Sequence, residues 1–358
     1  MLITDQSTLS RHDCAARKWQ GIPSVERTEK GRIFACWYSG GVTEQMGNYS
    51  LLVYSDDGGE HFTPPVAVAD VGESGRAYDP TLWIDPLGRL WFIWSVMPCN
   101  RVEFVRCDDP DAETLVWSEV RTLGWDVMLN KPIVLRNGDW LFPCAVWKKG
   151  LLSCGLGAED NPTGSHVFLS RDKGETFERI GTAYARDGWY DEHMLLEKQD
   201  GSLEMYIRTK YGVAVSESKD GGVSWTPAVD CGFGGPNSRF HIKRLSSGNI
   251  LLVNHHRFTG RSHMTAMISR DDGKTFEGFL LLDCRTDVSY PDAVEGSDGY
   301  IYIIYDRERG AQYHADRDYS CSAREILMAK VTEADILAGE VRDIGSRLRM
   351  IVDKIVLA

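Results

Sequence analysis

An all-β fold built from six repeated units is predicted for this chain, and three observations carry the prediction. An apolar run, a tight turn with glycine and a second apolar run recur six times. A shorter motif recurs four times between them. Aromatic residues make up 10% of the chain and glycine 35 of its 358 residues, a balance that favours strands and turns over helices. Six hairpin repeats at this length predict a single six-bladed β-propeller domain spanning 1–358.

In chain order the long repeats read GIPSVERTEKGRIFACW, DPTLWIDPLGRLWFIW, NKPIVLRNGDWLFPCAVW, EHMLLEKQDGSLEMYIR, SRFHIKRLSSGNILLVNH and YPDAVEGSDGYIYIIYD. Their turn glycines are Gly31, Gly88, Gly138, Gly201, Gly248 and Gly299, spaced 47 to 63 residues apart. Apolar alternation on both sides of a glycine-containing turn specifies a β-hairpin. Inner hairpins are therefore expected near 21–37, 78–95, 130–147, 191–208, 238–255 and 290–306.

The interleaved motif has the form Ser-x-Asp-x-Gly-x-x-aromatic. Its copies are SDDGGEHF (Ser55, Asp57, Gly59, Phe62), SRDKGETF (Ser170, Asp172, Gly174, Phe177), SKDGGVSW (Ser218, Asp220, Gly222, Trp225) and SRDDGKTF (Ser269, Asp271, Gly273, Phe276). Such a segment is a self-contained turn. The carboxylate accepts backbone N–H groups of its own loop, glycine permits a positive φ, and the aromatic plugs the base of the hairpin. These are Asp-boxes, or BNR repeats, and in carrying them the chain resembles the sialidase superfamily over nearly its whole length. The resemblance implies blades of four strands, an inner hairpin followed by an outer hairpin turned by the Asp-box. Blade two has DDPDAETLVW in place of the box, with Trp117 at the aromatic position. In blade six the third strand, EILMAKV, leads into a short helix capped at Thr332, and RLRMIVDKIV is expected to close the ring. The boxes are scaffold and not sites.

Charge and composition exclude several classes. A net charge of −12 argues against a nucleic-acid partner, whose phosphates need a basic surface. No apolar run approaches the ~18 residues of a membrane helix. The opening MLITDQSTLSRHD lacks a basic segment followed by an apolar core, so no secretion signal is visible and a cytoplasmic location is expected. The nine cysteines form no CxxC pairs and have no histidines at metal spacing. Neither metal nor cofactor is expected.

In a propeller the start of each first strand and the end of each second strand share one face, with the Asp-box turns on the other. Function is expected on the former. Asp79, Glu192, Arg239 and Tyr290 all stand nine residues before a turn glycine, so they converge on the axis. Buried charges cost several kcal/mol unless paired, which leaves two readings: a polar site or an internal ion-pair belt. His193, His255, His256 and His263 gather on the same face, and any of them is a candidate acid or base. Trp37, Trp94 and Trp147 end second strands, where they suit stacking on sugar rings or packing between blades.

Sialidases grip a substrate carboxylate with three arginines, attack with a tyrosine activated by a glutamate, and use an aspartate as acid/base. The resemblance assigns Glu192 in DEHMLLE to the activator, Arg208 in MYIRTKYG and Arg261 in GRSHMTAMIS to two of the arginines, and Tyr290 in SYPDAVEG to the nucleophile. Two features depart from it. Gly21 in QGIP stands where the family has the first arginine, and the loop GGVTEQMGNYS has no aspartate, only Glu44. Asp79 or His193 is the candidate proton source, and Arg239 or Lys131 the candidate substitute cation, with His255 and Trp37 as further substrate contacts. A lost charge-assisted contact is worth about 1.5–3 kcal/mol, so the expected substrate is a carboxylate-bearing glycoside, a nonulosonic or uronic acid, other than ordinary sialic acid. The expected activity is retaining hydrolysis of such a small carbohydrate. The alternatives are a uronic-acid lyase on the same propeller and a non-catalytic propeller that binds carbohydrate or protein.

Overall fold

The computed structural model describes residues 1–98, 100–124, 127–147, 163–188, 190–309 and 323–356. Six antiparallel sheets, each formed by a contiguous stretch of chain, stand around one axis as a six-bladed β-propeller. The innermost strands are Trp19–Arg27, Arg76–Ile84, Ile133–Val134, Met194–Glu197, His241–Arg244 and Val288–Glu295. Each blade adds three more strands outward, and in blade one a fifth, Leu2–Ile3, lies on the outer edge against Ala67–Ala69. Arg347–Lys354 pairs with Glu325–Thr332 and is the fourth strand of blade six. The ring is therefore closed by packing of blade six against blade one and not by a strand passed between them. At that seam Gln20 Nε2 donates to Arg324 O at 2.7 Å, and Arg17 pairs with Asp353 at 2.9 Å.

The Asp-boxes behave as local chemistry dictates. In all four, the serine hydroxyl donates to the aspartate at 2.8–2.9 Å and accepts from the box glycine N–H at 2.8–2.9 Å. The aspartate also accepts a backbone N–H four residues on, at 2.8–3.0 Å. The glycines adopt φ of 84–95°, which a side chain would resist. After blade six's third strand, Thr332 caps the helix Glu333–Ala338 through a reciprocal pair with Asp335.

Apolar side chains from neighbouring sheets fill the spaces between blades, for example Trp83, Trp91, Trp140 and Phe142 between blades two and three. On the axis the filling is ionic. Lys131 Nζ donates to Glu26 Oε1 (2.8 Å), Val25 O (2.7 Å) and Leu82 O (2.8 Å), and lies 3.1 Å from Asp292 Oδ2. Asp292 accepts from the Ser24 hydroxyl at 2.6 Å and the Val25 amide at 3.0 Å, and its other oxygen faces His241 Nδ1 at 3.1 Å and Arg239 Nη2 at 3.5 Å. Asn130 accepts from Arg239 Nε at 2.7 Å and donates to the Glu192 and His193 carbonyls. All six blades contribute to this belt. Burial alone would raise the Asp292 carboxyl, but Lys131, the His241 bond and Arg239 hold it far below the ordinary carboxylate range.

The blades divide into two kinds at their inner strands. Blades one, two and six have inner strands of eight or nine residues. In each the register shifts at an X-Pro step: Ile22-Pro23, Asp79-Pro80 and Tyr290-Pro291. Blades three, four and five have inner strands of two to four residues that begin only after the segments carrying Lys131, Glu192 and Arg239. Both arrangements re-aim side chains at the face where the chain enters each blade, the first through bulges and the second through irregular backbone.

Candidate active site

Tyr290, Glu192 and Arg208 meet on that face in one bonded triangle. The Tyr290 hydroxyl donates to Glu192 Oε1 at 2.7 Å, Arg208 Nη1 donates to the Tyr290 oxygen at 2.8 Å, and Arg208 Nη1 lies 2.5 Å from the same glutamate oxygen. Arg208 comes from the end of Leu203–Thr209, and its Nε and Nη2 are fixed on Asn237, at 2.7 Å to Oδ1 and 3.1 Å to the carbonyl. Glu192 Oε2 is buried with no hydrogen-bond partner among the described residues. Burial pushes the Tyr290 phenol up, with Glu192 acting in the same sense and Arg208, Arg309 and Arg261 against it. The resting residue is therefore a phenol with its proton on the Glu192 bond.

Two more guanidinium groups face the tyrosine ring. The Arg261 group lies 5.3 Å from the ring centroid and reaches Asn237 O at 3.5 Å; that of Arg309 lies 3.8 Å from the centroid. Arg309 is anchored by Asp306, which accepts from its Nε at 2.8 Å, and by the Ser289 hydroxyl at 3.1 Å from Nη2. Burial lowers the affinity of Arg261 for its proton, and Arg309 and Arg208 add repulsion.

Asp79 stands across the site in the equivalent bulge of blade two. Burial, then Glu44 and Glu192, push its carboxyl up to about 8, against the pull of Arg76 and Arg309. It is a protonated acid at neutral pH. Glu44, from the loop after Ile33–Gly40, lies 3.9 Å from Arg309 Nη1. Aromatic rings from neighbouring blades pack together on this face: Tyr78 lies 6.4 Å from Trp147, and Trp147 makes an edge contact with Tyr190 at 5.0 Å. Arg208 sits 5.3 Å from the Tyr190 ring.

Five of the residues expected at the site have other surroundings. Lys131 directs its ammonium hydrogens to Glu26 and two carbonyls, and Arg239 is fully buried on Asn130, Pro23 O and Asp292. Both belong to the belt below the pocket, the internal ion-pair arrangement that was the second reading of the axial charges. His193 has Nδ1 against Asp191 O (2.9 Å) and Nε2 against His166 O (2.8 Å), so both nitrogens are occupied by backbone. His255 is buried with Nδ1 on Ser262 O at 3.0 Å, and burial lowers it to about 4, leaving it neutral. Trp37 is buried between blades with Leu51, Ile304 and Met328 and has no face open to a sugar. Arg309 and Arg76 are the neighbours that sequence reasoning missed; Asn237 and Asp306 stand at strand ends on the expected face but had no role assigned to them. Arg309 lies two residues beyond the end of the strand Tyr300–Arg307, so a slightly wider window on strand ends would have included it. Among the described residues no group of three or more His, Cys, Asp or Glu could hold a metal ion, and no helix is long and apolar enough to cross a membrane.

Comparison with known proteins agrees with this geometry at the level of the fold. The chain is similar to a protein of unknown function from Dyadobacter fermentans, with 20% identity, a TM-score of 0.63 and coverage of 82% of this chain and 91% of that one. It is similar to the Hadza microbial sialidase Hz136, with 20% identity and a TM-score of 0.65, covering 80% of this chain but only 63% of the sialidase, less than two thirds of its length. The intramolecular trans-sialidase from Ruminococcus gnavus, solved with oseltamivir carboxylate, gives a TM-score of 0.70 at 13% identity, covering 91% of this chain and 97% of that one. No curated protein sequence matches the chain. The sequence pattern described as the BNR repeat-like domain matches residues 31–303, well over half of the chain. With the repeats, the closed ring of blades and this match together, the chain belongs to the BNR repeat-like domain family and has the six-bladed propeller fold of the sialidases.

Proposed function

We propose that the protein cleaves the glycosidic bond of a carboxylate-bearing sugar with retention of configuration. The observation that carries this reading is the buried Tyr290–Glu192–Arg208 triangle. A phenol is a weak nucleophile near neutral pH. Glu192 accepts the Tyr290 proton as the phenol oxygen attacks the anomeric carbon, and Arg208 stabilises charge developing on that oxygen. The bond to the leaving-group oxygen breaks, and Asp79, protonated at rest, gives that oxygen its proton. In the second half, water attacks the anomeric carbon with the Asp79 carboxylate taking a proton. The tyrosine then leaves and recovers its own proton from Glu192. Two inversions give retention.

The cationic residues account for the substrate class. Arg208 and Arg261 share the Asn237 carbonyl and face the same ring, which suits bidentate recognition of one carboxylate. The similar trans-sialidase was solved with oseltamivir carboxylate, itself an anionic ligand by name. Trp147 and Tyr190 supply an apolar flank for a sugar ring.

The test is a panel of aryl glycosides bearing α-nonulosonic acids and uronic acids, run beside neutral hexosides. Turnover of a carboxylated member, absent from its neutral counterparts and lowered at least about a thousandfold in Tyr290→Phe, is the expected result. Binding without turnover across the panel would reassign the propeller as a carbohydrate-binding module.

A further inference from the structure

Gly21 lies where the sialidase resemblance places an arginine, yet the space beside it is filled. A Cβ on Gly21 would stand 2.5 Å from Arg309 Cδ, 2.6 Å from Cγ and 2.8 Å from Nε. A side chain at position 21 and Arg309 in its observed place therefore exclude each other. Arg309 follows the second strand of blade six, Tyr300–Arg307, and crosses the seam to blade one, where its carbonyl accepts from the Gln20 amide at 3.3 Å. One carboxylate fixes the crossing: Asp306 Oδ2 accepts both Arg309 Nε at 2.8 Å and the Ile22 amide at 2.7 Å. The guanidinium is thus held against the Tyr290 ring at 3.8 Å, on the same ring that Arg208 and Arg261 approach at 5.9 and 5.3 Å.

We infer that Arg309 is the third cation of the carboxylate site, delivered from blade six into the room vacated at Gly21. This assignment rests on the reading of the Tyr290 pocket as a carboxylate-sugar site and adds a specificity residue to it. Three guanidinium groups crowd one ring, and of these Arg261 meets no carboxylate among the described residues, only a carbonyl. Arg208 and Arg309 are each held on a carboxylate of the protein, Glu192 and Asp306, so it is the charge of Arg261, half-buried beside them, that calls for an anion from outside. A sugar carboxylate placed among them would relieve the mutual repulsion already visible at Arg261. The glycine is what permits the exchange: in a strand otherwise filled with side chains, its missing Cβ is occupied by the stem of another residue's arginine.

The experiment compares wild type, Arg309→Ala, Arg309→Lys and the transposed double variant Gly21→Arg/Arg309→Gly. Calorimetric affinities are measured for N-acetylneuraminate and glucuronate and for the methyl ester of each, with thermal melting to confirm folding. Wild type is expected to prefer at least one acid over its ester. In Arg309→Ala that acid should weaken about 10- to 100-fold, the range of one charge-assisted hydrogen bond, while the ester changes by less than about twofold. Arg309→Lys should fall between, and the transposed variant should regain most of the preference. An acid-over-ester preference that persists in Arg309→Ala overturns the role of Arg309 and leaves the pocket assignment standing. So does an equal loss for acid and ester. Absence of any such preference in wild type overturns the carboxylate site itself, with Arg309 included.

Discussion

Asp79 and Tyr290, on different blades, share one backbone conformation: φ is 50° and 56°, each directly precedes a proline, and each lies in a register shift of its inner hairpin. Ile22 before Pro23 repeats the step with φ of 61°. A non-glycine residue in this region costs roughly 1–2 kcal/mol, and a residue before proline ordinarily lies extended. Blades six, one and two, consecutive around the ring, all carry this cost. One backbone device thus presents three chemistries in turn: the phenol of Tyr290, the apolar side chain of Ile22 within the aromatic collar, and the acid of Asp79. Positive φ at non-glycine residues occurs elsewhere in the chain too, in Asp-box turns at Lys173 and Asp272 for example, but these three share the step before proline in an inner-strand bulge.

The carboxyl of Asp79 sets the alkaline limb of the pH profile. With its titration raised to about 8, the acid form needed to protonate a leaving group persists through neutrality and is lost above that pH. Hydrolysis should hold nearly level to about pH 7, fall to half near pH 8 and keep falling above it. In Asp79→Asn the loss in kcat/KM, which reports the first half alone, should be large for alkyl leaving groups and small for 4-nitrophenolate, which departs without a proton. Equal kcat/KM losses on both leaving groups would remove Asp79 from protonation of the leaving group.

The same carboxyl predicts a pH-dependent stability effect of opposite sign to the usual surface aspartate. Its folded-state value, about 8, lies above the ordinary 3.8, so the folded protein binds this proton more tightly than the unfolded chain. The contribution is complete below pH 4 and is lost as pH rises through 8. Asp79→Asn should therefore melt higher than wild type at pH 9, and the difference should shrink towards pH 5. Calorimetric melting at the two pH values reads this directly; a difference that grows towards acid would contradict the burial argument.

The features legible in sequence are those whose bonds close locally. Ser170, Asp172, Gly174 and Thr176 satisfy one another within seven residues, so the Asp-box prints its geometry directly into the chain. Tyr290, Glu192 and Asp79 were legible because the count back from the hairpin turn fixes how far along the inner strand, and so at which face, each one stands. Arg309 was not, since its placement depends on the glycine at 21 and the amide of Ile22, far earlier in the chain and brought close only when the ring closes. Lys131 looked like a site cation because its acceptors belong to blades one, two and six. Trp37 and Trp147 end similar apolar runs but part company for a simple reason. The second strand of blade one continues to Gly40, which keeps Trp37 inside, whereas that of blade three stops at Val146 and leaves Trp147 only half-buried.

Removing Lys131 should test the belt separately from the pocket. Lys131→Met leaves Glu26 and Asp292 facing each other across the axis without their shared cation. Breaking a buried pair in this way costs about 3–5 kcal/mol. Urea unfolding should register that loss. Acid-over-ester preference in the surviving folded fraction should be unchanged, because the ammonium has no part in binding. A selective loss of carboxylate affinity at wild-type stability would return Lys131 to the pocket.

Tyr290 and Glu192 are predicted to act as one unit, and a double-mutant cycle can show it. In Glu192→Gln the amide cannot take the phenol's proton, so turnover should fall by about 10²–10⁴. The variant keeps a neutral acceptor at the 2.7 Å bond, and Arg208 remains on Asn237, so ligand affinity should change little. Tyr290→Phe removes the nucleophile itself and should cost more. Once the phenol is gone the glutamate has no proton to receive, so the double variant should be no slower than Tyr290→Phe alone. Two losses that multiply would mean that Glu192 serves another step, with its unbonded Oε2 the place to look for it.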